Sequence, residues 1–433
     1  MDTSRPMTSA LLVLCLPSLS RQGRRGFPYP AVALVLLLML AHAAPSRAEA
    51  RQVGSYHWTG VEQVVAIGDL HGDWAQYMAV MRAAGLVNRR GRWDGGTTHL
   101  VQTGDIPDRG PDTRRIIDHL RKLEREAQRA GGRVHMLIGN HDAMNVYGDL
   151  RYVTAGEFEA FESRNAERYQ ELLWERQLQR LEAADAEAFA SMDLEAYRRE
   201  WEERFPLGWN EHRQAWGVEG DYGKWVLSNP VVLKIDGTLF LHAGLSAKFC
   251  RASLAGITER VHAGLRNYDP RNPGIVEDEL GPLWYRGLAM DAEQERDAMV
   301  TAILERYDAE RMVVGHTPTG GVVWPRFGGR VILNDTGIAA YYGGHNAFLE
   351  IRPGRLVARY GERAIELPTA SAARVEYLRE VLALDPDNAR LQSRLRRMLA
   401  APAAPATPGA AEEPPLTPEE AQREAWLSPG NCR

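Results

Sequence analysis

VEQVVAIGDLHG, residues 61–72, sets the terms for the whole chain. An apolar, β-branched run from Val61 to Ile67 breaks at Gly68 into a polar turn that carries Asp69 and His71. Short apolar runs bounded by glycine read as buried strands. The design returns twice: His99–Thr103 leads into GDIPDRG (104–110), and Val134–Ile138 leads into GNHD (139–142). Between the second and third runs, Ile116, Ile117, Leu120 and Leu123 share one helical face, with Asp112 placed to cap it. This β-α-β-α-β order predicts parallel strands. Further on, Val231–Ile235, Asp236-Gly237 and Thr238–His242 spell a hairpin with a two-residue turn. More strands are expected at Met312–Val314, Val331–Leu333, Ala347–Ile351, Leu356–Tyr360 and Ile365–Leu367. Parallel units first and hairpins later predict an α/β fold of two packed mixed β-sheets flanked by helices.

The chemistry concentrates in the turns. Asp69 and His71 stand two apart beyond a strand, and a carboxylate with an imidazole suits Zn, Fe or Mn. Asp105, at the second strand end, is placed to bridge two metals. At the third, Asn140 offers an amide oxygen, and His141 is free for proton work. Two later histidines repeat the placement, His242 in LHAGL (241–245) and His316 in VGHTPT (314–319). Strand carboxyl ends are where ligands bind in such sheets. Residues from Asp69 to His316 must therefore converge, so 51–370 is expected as one domain, although 433 residues allow two or three.

In order, these turns read GDLHG, GDIPDRG, GNHD, HAG and GH. The set resembles the phosphoprotein phosphatases, a branch of the calcineurin-like metallophosphoesterases, over about residues 61–367. The segment before HAGLS and the stretch GHTPTGGVVWPRFGGRVILNDTG (315–337) are similar to the bacterial Shewanella-like phosphatases. Asp142 departs from the glutamate of eukaryotic members. Aspartate there is similar to the diadenosine tetraphosphate hydrolases, which usually lack the acid held here by Asp108. The resemblance implies two divalent or mixed-valence metal ions (Mn, Fe or Zn). Asp69 and His71 would hold the first, Asp105 would bridge, and Asn140, His242 and His316 would complete the second. It further implies in-line attack on phosphorus by a metal-bridging hydroxide. His141 would protonate the leaving oxygen, Asp108 would orient His141, and Arg109 and Arg286 would hold phosphate oxygens, which guanidinium matches in two-point geometry. Asp142 would buttress its turn. The activity implied is hydrolysis of phosphomonoesters, with phosphoproteins as substrates. The alternative is a dinucleotide polyphosphate or another small phosphoester.

The rest of the chain bounds this reading. A net charge of −5 leaves no electrostatic footprint for nucleic acid. Three cysteines, Cys15, Cys250 and Cys432, make neither a disulfide framework nor a zinc finger, and no bridge is expected from Cys432 in a tail read as disordered. Residues 1–50 read as a signal peptide: Arg21, Arg24 and Arg25 precede an apolar run from Ala31, which at 14 residues to Ala44 is short for a span of about 20. Export to a periplasm or beyond is expected, with a mature start between Ala44 and Arg51. An uncleaved membrane anchor is the alternative. A helical insertion is expected over about 150–225. It opens with a capping box at Thr154 and Glu157, and Phe158, Phe161, Tyr169, Leu172 and Leu173 form its apolar face, as a covering layer or a lid. Over 371–433 the sequence predicts a short helical pair and then a disordered Ala/Pro-rich tail. In the pair, Val375, Leu378, Val381 and Leu382, then Leu391, Leu395 and Leu399, recur at helical spacing, for packing or for a partner.

Overall fold

The computed structural model describes residues 50–54, 56–400 and 416–433. The expected leader, except Ala50, and the Ala/Pro-rich stretch up to Pro415 lie outside the described residues. Among the described residues no helix is long and apolar enough to cross a membrane.

The strands, in chain order, are β1 (Arg51–Gly54), β2 (His57–Thr59), β3 (Val64–Ile67), β4 (His99–Gln102), β5 (Arg133–Met136), β6 (Val232–Ile235) and β7 (Thr238–Leu241). They continue with β8 (Arg311–Val314), β9 (Trp324–Arg326), β10 (Val331–Leu333), β11 (Ala347–Arg352), β12 (Arg355–Tyr360) and β13 (Arg363–Glu366). Two mixed sheets result, one ordered β1-β2-β6-β7-β8-β10-β9 and the other β13-β12-β11-β3-β4-β5. β3, β4 and β5 are parallel as predicted, and β11 joins them antiparallel to β3. β3 and β4 are buried along their whole length, the pattern of strands covered on both faces. The hairpin closes at Asp236-Gly237, with Ile235 opposite Thr238. β1, β2 and β9 were not expected. Each is three or four residues long, and β9 holds Pro325, which a sheet edge tolerates because no N–H is needed on the open side.

The helix after β4, Thr113–Arg129, buries Ile116, Ile117, Leu120 and Leu123 as predicted. Asp112 sits at its N-cap position, but its carboxylate caps no backbone amide, so the expected side-chain cap does not form. The helical insertion forms as expected, as a series of helices: Ala155–Phe161, Ala166–Ala184, Ala186–Ala190, Leu194–Arg204, Trp209–Trp216 and Asp221–Val226. Phe158 and Phe161 are buried as expected, whereas Leu172 is 40% exposed. Trp174 and Trp201 fill that role instead, in ring contact at 5.3 Å.

The C-terminal pair, Arg374–Leu384 and Ala389–Ala400, belongs to the same compact unit as the sheets. The Tyr377 hydroxyl donates to the Val323 carbonyl at 2.7 Å, and Leu378, Val381 and Leu391 are buried, while Leu399 is exposed. The end of the chain corrects the sequence reading. Thr417 caps a further helix, Pro418–Leu427, and Cys432 is bonded to Cys250 with Cα atoms 4.9 Å apart. Arg296 binds Glu424 through both terminal nitrogens at 2.7 Å, and Leu427 is buried. Thr417 to Arg433 therefore dock against the body of the protein; the Ala/Pro-rich composition of the preceding stretch hid this.

Candidate metal centre

The carboxyl ends of strands from both sheets meet at one place. β3, β4 and β5 deliver the Gly68–Gly72, Gly104–Gly110 and Gly139–Asp142 turns, while β7 and β8 end at His242 and His316. The backbone is forced to make these turns. Nine described non-glycine residues have positive φ, and five of them are here: His71, Asp105, Asp108, Arg109 and His316. Such conformations cost about 1–3 kcal/mol each and persist only where the surroundings fix them. Glycine provides the closeness. A Cβ on Gly104 would stand 2.7 Å from the Gly139 nitrogen and 2.9 Å from His242 Nδ1, and one on Gly315 would stand 2.5 Å from Asp69 Oδ1.

The donors form two groups that share Asp105: His71, Asp105 and His141, and Asp105, His242 and His316. All are buried. His242 Nδ1 lies 2.8 Å from the Thr103 carbonyl oxygen, which can only accept, so Nδ1 carries the proton and Nε2 presents a lone pair. That lone pair faces Asn140 Oδ1 at 2.9 Å, His316 Nδ1 at 3.1 Å and Asp105 Oδ2 at 3.3 Å. Only the imidazole among these can supply a proton. The two oxygens are bare acceptors, and a cation resolves their convergence. His71 repeats the arrangement, with Nδ1 at 3.1 Å from the Pro107 carbonyl and Nε2 turned to Asp69 Oδ2 at 4.0 Å and Asp105 Oδ2 at 3.9 Å. Backbone carbonyls that fix a histidine tautomer are the usual support of metal-ligating imidazoles. His316 Nε2 is buried with no hydrogen-bond partner.

The acids make the same point. Burial, with Asp335 and Asp105 as like-charged neighbours, pushes the Asp69 carboxyl well above its usual range. Burial and Asp105 push Asp142 up to about 7, and burial with Asp105 among its neighbours takes Asp335 up to about 6. Carboxylates crowded in a dry interior are costly unless cations or hydrogen bonds compensate them. Mixed N and O donors of this kind fit a pair of divalent transition-metal ions.

His141 of the first group also belongs to a second constellation. His141 Nδ1 is hydrogen-bonded to Asp108 Oδ2, and Asp108 Oδ1 accepts from Asn145 Nδ2 at 2.9 Å. Burial opposes a charged His141, but Asp105 and Asp108 outweigh it and raise its pKa above the ordinary value. Arg109 lies between two aromatic rings, its guanidinium carbon 4.0 Å from the Tyr152 centroid and 4.9 Å from that of Tyr341, with Nε unpartnered. Arg286 is exposed, and its Nη1 donates to the His316 carbonyl at 2.8 Å and to Thr317 Oγ1 at 3.1 Å, which holds the cation at the site. Asp142 Oδ2 accepts from the Asp105 and Gly139 amides, both at 2.8 Å, so its carboxylate ties two of the turns together. All ten residues singled out in the sequence as ligands or catalytic groups are thus brought to one place.

Sequence reasoning missed four more. Asn334 and Asp335 are buried directly after β10, and neither polar atom of the Asn334 side chain has a partner. The signal was present, since NDTG (334–337) ends an apolar strand just as the other turns do. Tyr152 packs on the His141 ring at 5.0 Å. Glu157 was read only as half of a capping box. The Thr154 amide does donate to its Oε2 at 3.1 Å, but its Oε1 also accepts from the Asp108 amide at 3.1 Å and from the Thr113 hydroxyl. Burial and the Asp108 charge push Glu157 up to about 8. No spacing rule links it to a turn 49 residues earlier.

Two sheets whose strand ends enclose paired His/Asp donor groups define a metallophosphoesterase. Residues 63–346 match the calcineurin-like phosphoesterase family, and the chain belongs to it; it is a phosphatase-like hydrolase. The chain is 33% identical over 298 residues to an uncharacterised protein of Schizosaccharomyces pombe, covering 66% of this chain and 76% of that one. It is 31% identical over 272 residues to Shewanella-like protein phosphatase 2 of Arabidopsis thaliana, covering 59% and 66%. Among solved structures, the cold-active protein-tyrosine phosphatase of a psychrophilic Shewanella species is similar at 25% identity and a TM-score of 0.55, over 73% of this chain and 83% of that one.

Proposed function

We propose that this phosphoesterase removes phosphate from phosphomonoesters on proteins. The observation that carries the reading is a carboxylate, Asp105, shared by two donor groups, with His141 of the first group also hydrogen-bonded to Asp108. Asp69 and His71 would hold one metal ion, Asn140, His242 and His316 would hold the other, and Asp105 would serve both, with Mn, Fe or Zn suited to the donors. When bound, such a pair supplies Lewis acidity toward phosphoryl oxygens and makes water a competent nucleophile at neutral pH. The protein's own groups do the rest. Arg109 and Arg286 orient the phosphate oxygens, Arg109 with Tyr152 and Tyr341 against the faces of its guanidinium. His141, charged with help from Asp108, gives its proton to the departing alkoxide. Asn145 and Glu157 fix Asp108 from its far side and its backbone. The names of the Arabidopsis and Shewanella relatives favour a protein substrate. Hydrolysis of phosphoserine, phosphothreonine and phosphotyrosine peptides, a dinucleotide polyphosphate and nucleoside monophosphates, with and without chelator, tests this. Turnover confined to the dinucleotide, or undiminished in chelator, refutes it.

We further propose that the chain is exported and works in an oxidising compartment. The Cys250–Cys432 bond supports this, since disulfides persist there and are rare in reducing cytosol. N-terminal sequencing of envelope-extracted protein tests it: a start between Ala44 and Arg51 is expected, and a retained Ala31–Leu40 run in the membrane fraction indicates an anchor.

A further inference from the structure

The second helix of the C-terminal pair, Ala389–Ala400, lies beside the loop that follows His316. Together they enclose a cavity of about 390 Å³ walled by Pro318, Thr319, Ser393 and three arginines, Arg390, Arg394 and Arg397. Among the described residues no carboxylate lines it. The arginines are spaced four and three residues apart, so they project from one helical face. Arg390 and Arg397 are exposed, and among the described residues Arg390 makes no hydrogen bond or ion pair; Arg397 donates to Ser393 Oγ at 2.8 Å. Arg394 is half-buried, with its guanidinium carbon 4.8 Å from the Trp324 ring centroid and its Nη1 buried without a partner among the described residues. A partly buried guanidinium nitrogen without a partner is unfavourable. Burial and the charges of Arg397 and Arg326 lower its pKa to about 10, the response of a cation that lacks an anion.

We propose that this cavity is a docking site for an acidic segment of the protein substrate, taking one or two carboxylate or phosphate groups that flank the phosphorylated residue. The proposal rests on the phosphoprotein reading above. The loop sets the distance. Thr319 is three residues beyond His316, so their Cα atoms are no more than about 11 Å apart. Thr319 is fixed as well, since its amide and hydroxyl both donate to the Asp335 carbonyl, at 2.8 and 2.9 Å. An extended peptide advances about 3.3 Å per residue. An acidic side chain three or four positions from the phosphoresidue spans about the same distance, which would set it at the arginines with the phosphate at Arg109 and Arg286.

The test uses the full-length protein, Arg390→Glu, Arg397→Glu and, in case Arg394→Glu misfolds, Arg394→Met. Phosphopeptides with Glu or with Ala three and four positions from the phosphoresidue are compared by kcat/KM. Binding of the unphosphorylated Glu peptide is measured by fluorescence anisotropy, and p-nitrophenyl phosphate reports the chemistry without a flank. The expected result is a preference of about tenfold for the Glu peptide, carried by KM and reduced by salt, because exposed charges are screened. Each reversal at Arg390 or Arg397 should remove most of it and leave p-nitrophenyl phosphate turnover unchanged. Equal kcat/KM for the two peptides in the wild type, or equal anisotropy for wild type and variants, overturns the site. If the Glu peptide binds at the arginines and p-nitrophenyl phosphate is hydrolysed but no phosphopeptide is, the substrate class is wrong and the groove's docking role falls with it.

Discussion

Replacing His141 with asparagine separates proton transfer from metal binding. The ring stands at the edge of the donor set, with Nε2 3.9 Å from Asp105 Oδ2 and Nδ1 engaged by Asp108. Its main-chain amide, which donates to Asp105 Oδ1 at 2.9 Å, survives the substitution, so the shared carboxylate keeps its support. What disappears is a buried imidazole whose charged form two carboxylates favour. General acid assistance is worth about 10²–10⁴ in rate, or about 2.7–5.5 kcal/mol of transition-state stabilisation. His141→Asn should therefore keep its metal content and lose that factor in kcat on phosphoserine peptides, whose alkoxide leaves poorly without a proton. On p-nitrophenyl phosphate, whose phenolate departs unaided, the loss should shrink to about tenfold or less. Asp108→Asn should show the same dependence on the leaving group with a smaller loss, since it only orients and polarises the ring. Steady-state kinetics on both substrates and elemental analysis of the same samples decide the matter. An emptied metal site, or an equal loss on both substrates, makes His141 a ligand or a binding group and refutes the assignment.

Because Asp105 belongs to both donor groups, Asp105→Asn should strip both metals where Asp69→Asn strips one; equal occupancy in the two variants by elemental analysis contradicts the bridge. Breaking the Cys250–Cys432 bond opens a 182-residue loop, worth up to about 5 kcal/mol by loop entropy, so Cys432→Ser should lower Tm, and reductant should lower the Tm of the wild type but not of the variant. His212 is buried among Phe158, Phe161 and Trp216, and burial first, then Arg213, lowers its pKa to about 3. The unfolded chain takes up that proton near 6.5 and the folded chain does not until about 3, so stability falls with falling pH across this window by about 1.4 kcal/mol per unit. His212→Phe should remove this contribution, and a Tm difference from wild type that does not grow between pH 7 and pH 4 would count against it.

The centre was legible because each ligand lies in a turn that follows an apolar strand and contains a glycine, a local signal that survives in the linear sequence. The Asp69, Asp105, Asn140, His242 and His316 turns all have this form. Asn334 and Asp335 have it too, and were passed over. What sequence could not show was support from a distance. Glu157 reaches back 49 residues to Asp108, and Arg213 reaches 68 residues to the Asn145 carbonyl at 2.5 Å. Neither contact depends on periodicity or spacing. Leu172 was misread because a long amphipathic pattern fixes a helix but not which of its apolar residues finds a neighbour, and the two tryptophans, with their larger surface, took the interior. Cys432 was misread because composition was allowed to speak for the residues beyond it. Seventeen residues from Thr417 to Arg433 suffice for a capped helix and a covalent anchor.

These long-range contacts divide the protein by role. The donor atoms sit on strand ends that the sheets hold rigid, and five positive-φ residues show how firmly the turns are determined. The groups assigned to phosphate and proton lean on the additions instead. Tyr152 and Glu157, where the insertion begins, brace Arg109 and Asp108. Arg286 precedes the short helix Gly287–Met290, whose following Asp291 is bound by Arg296, and Arg296 is in turn held by Glu424 of the stapled terminus. The C-terminal pair closes on the loop after His316, where the Asn388 side chain donates to the Gly320 carbonyl at 3.0 Å. Substitutions in the insertion or the C-terminal elements should then alter substrate preference and leaving-group dependence while metal affinity holds. Substitutions in the strand-end turns should do the reverse, because there the backbone strain and the donor geometry are one structure.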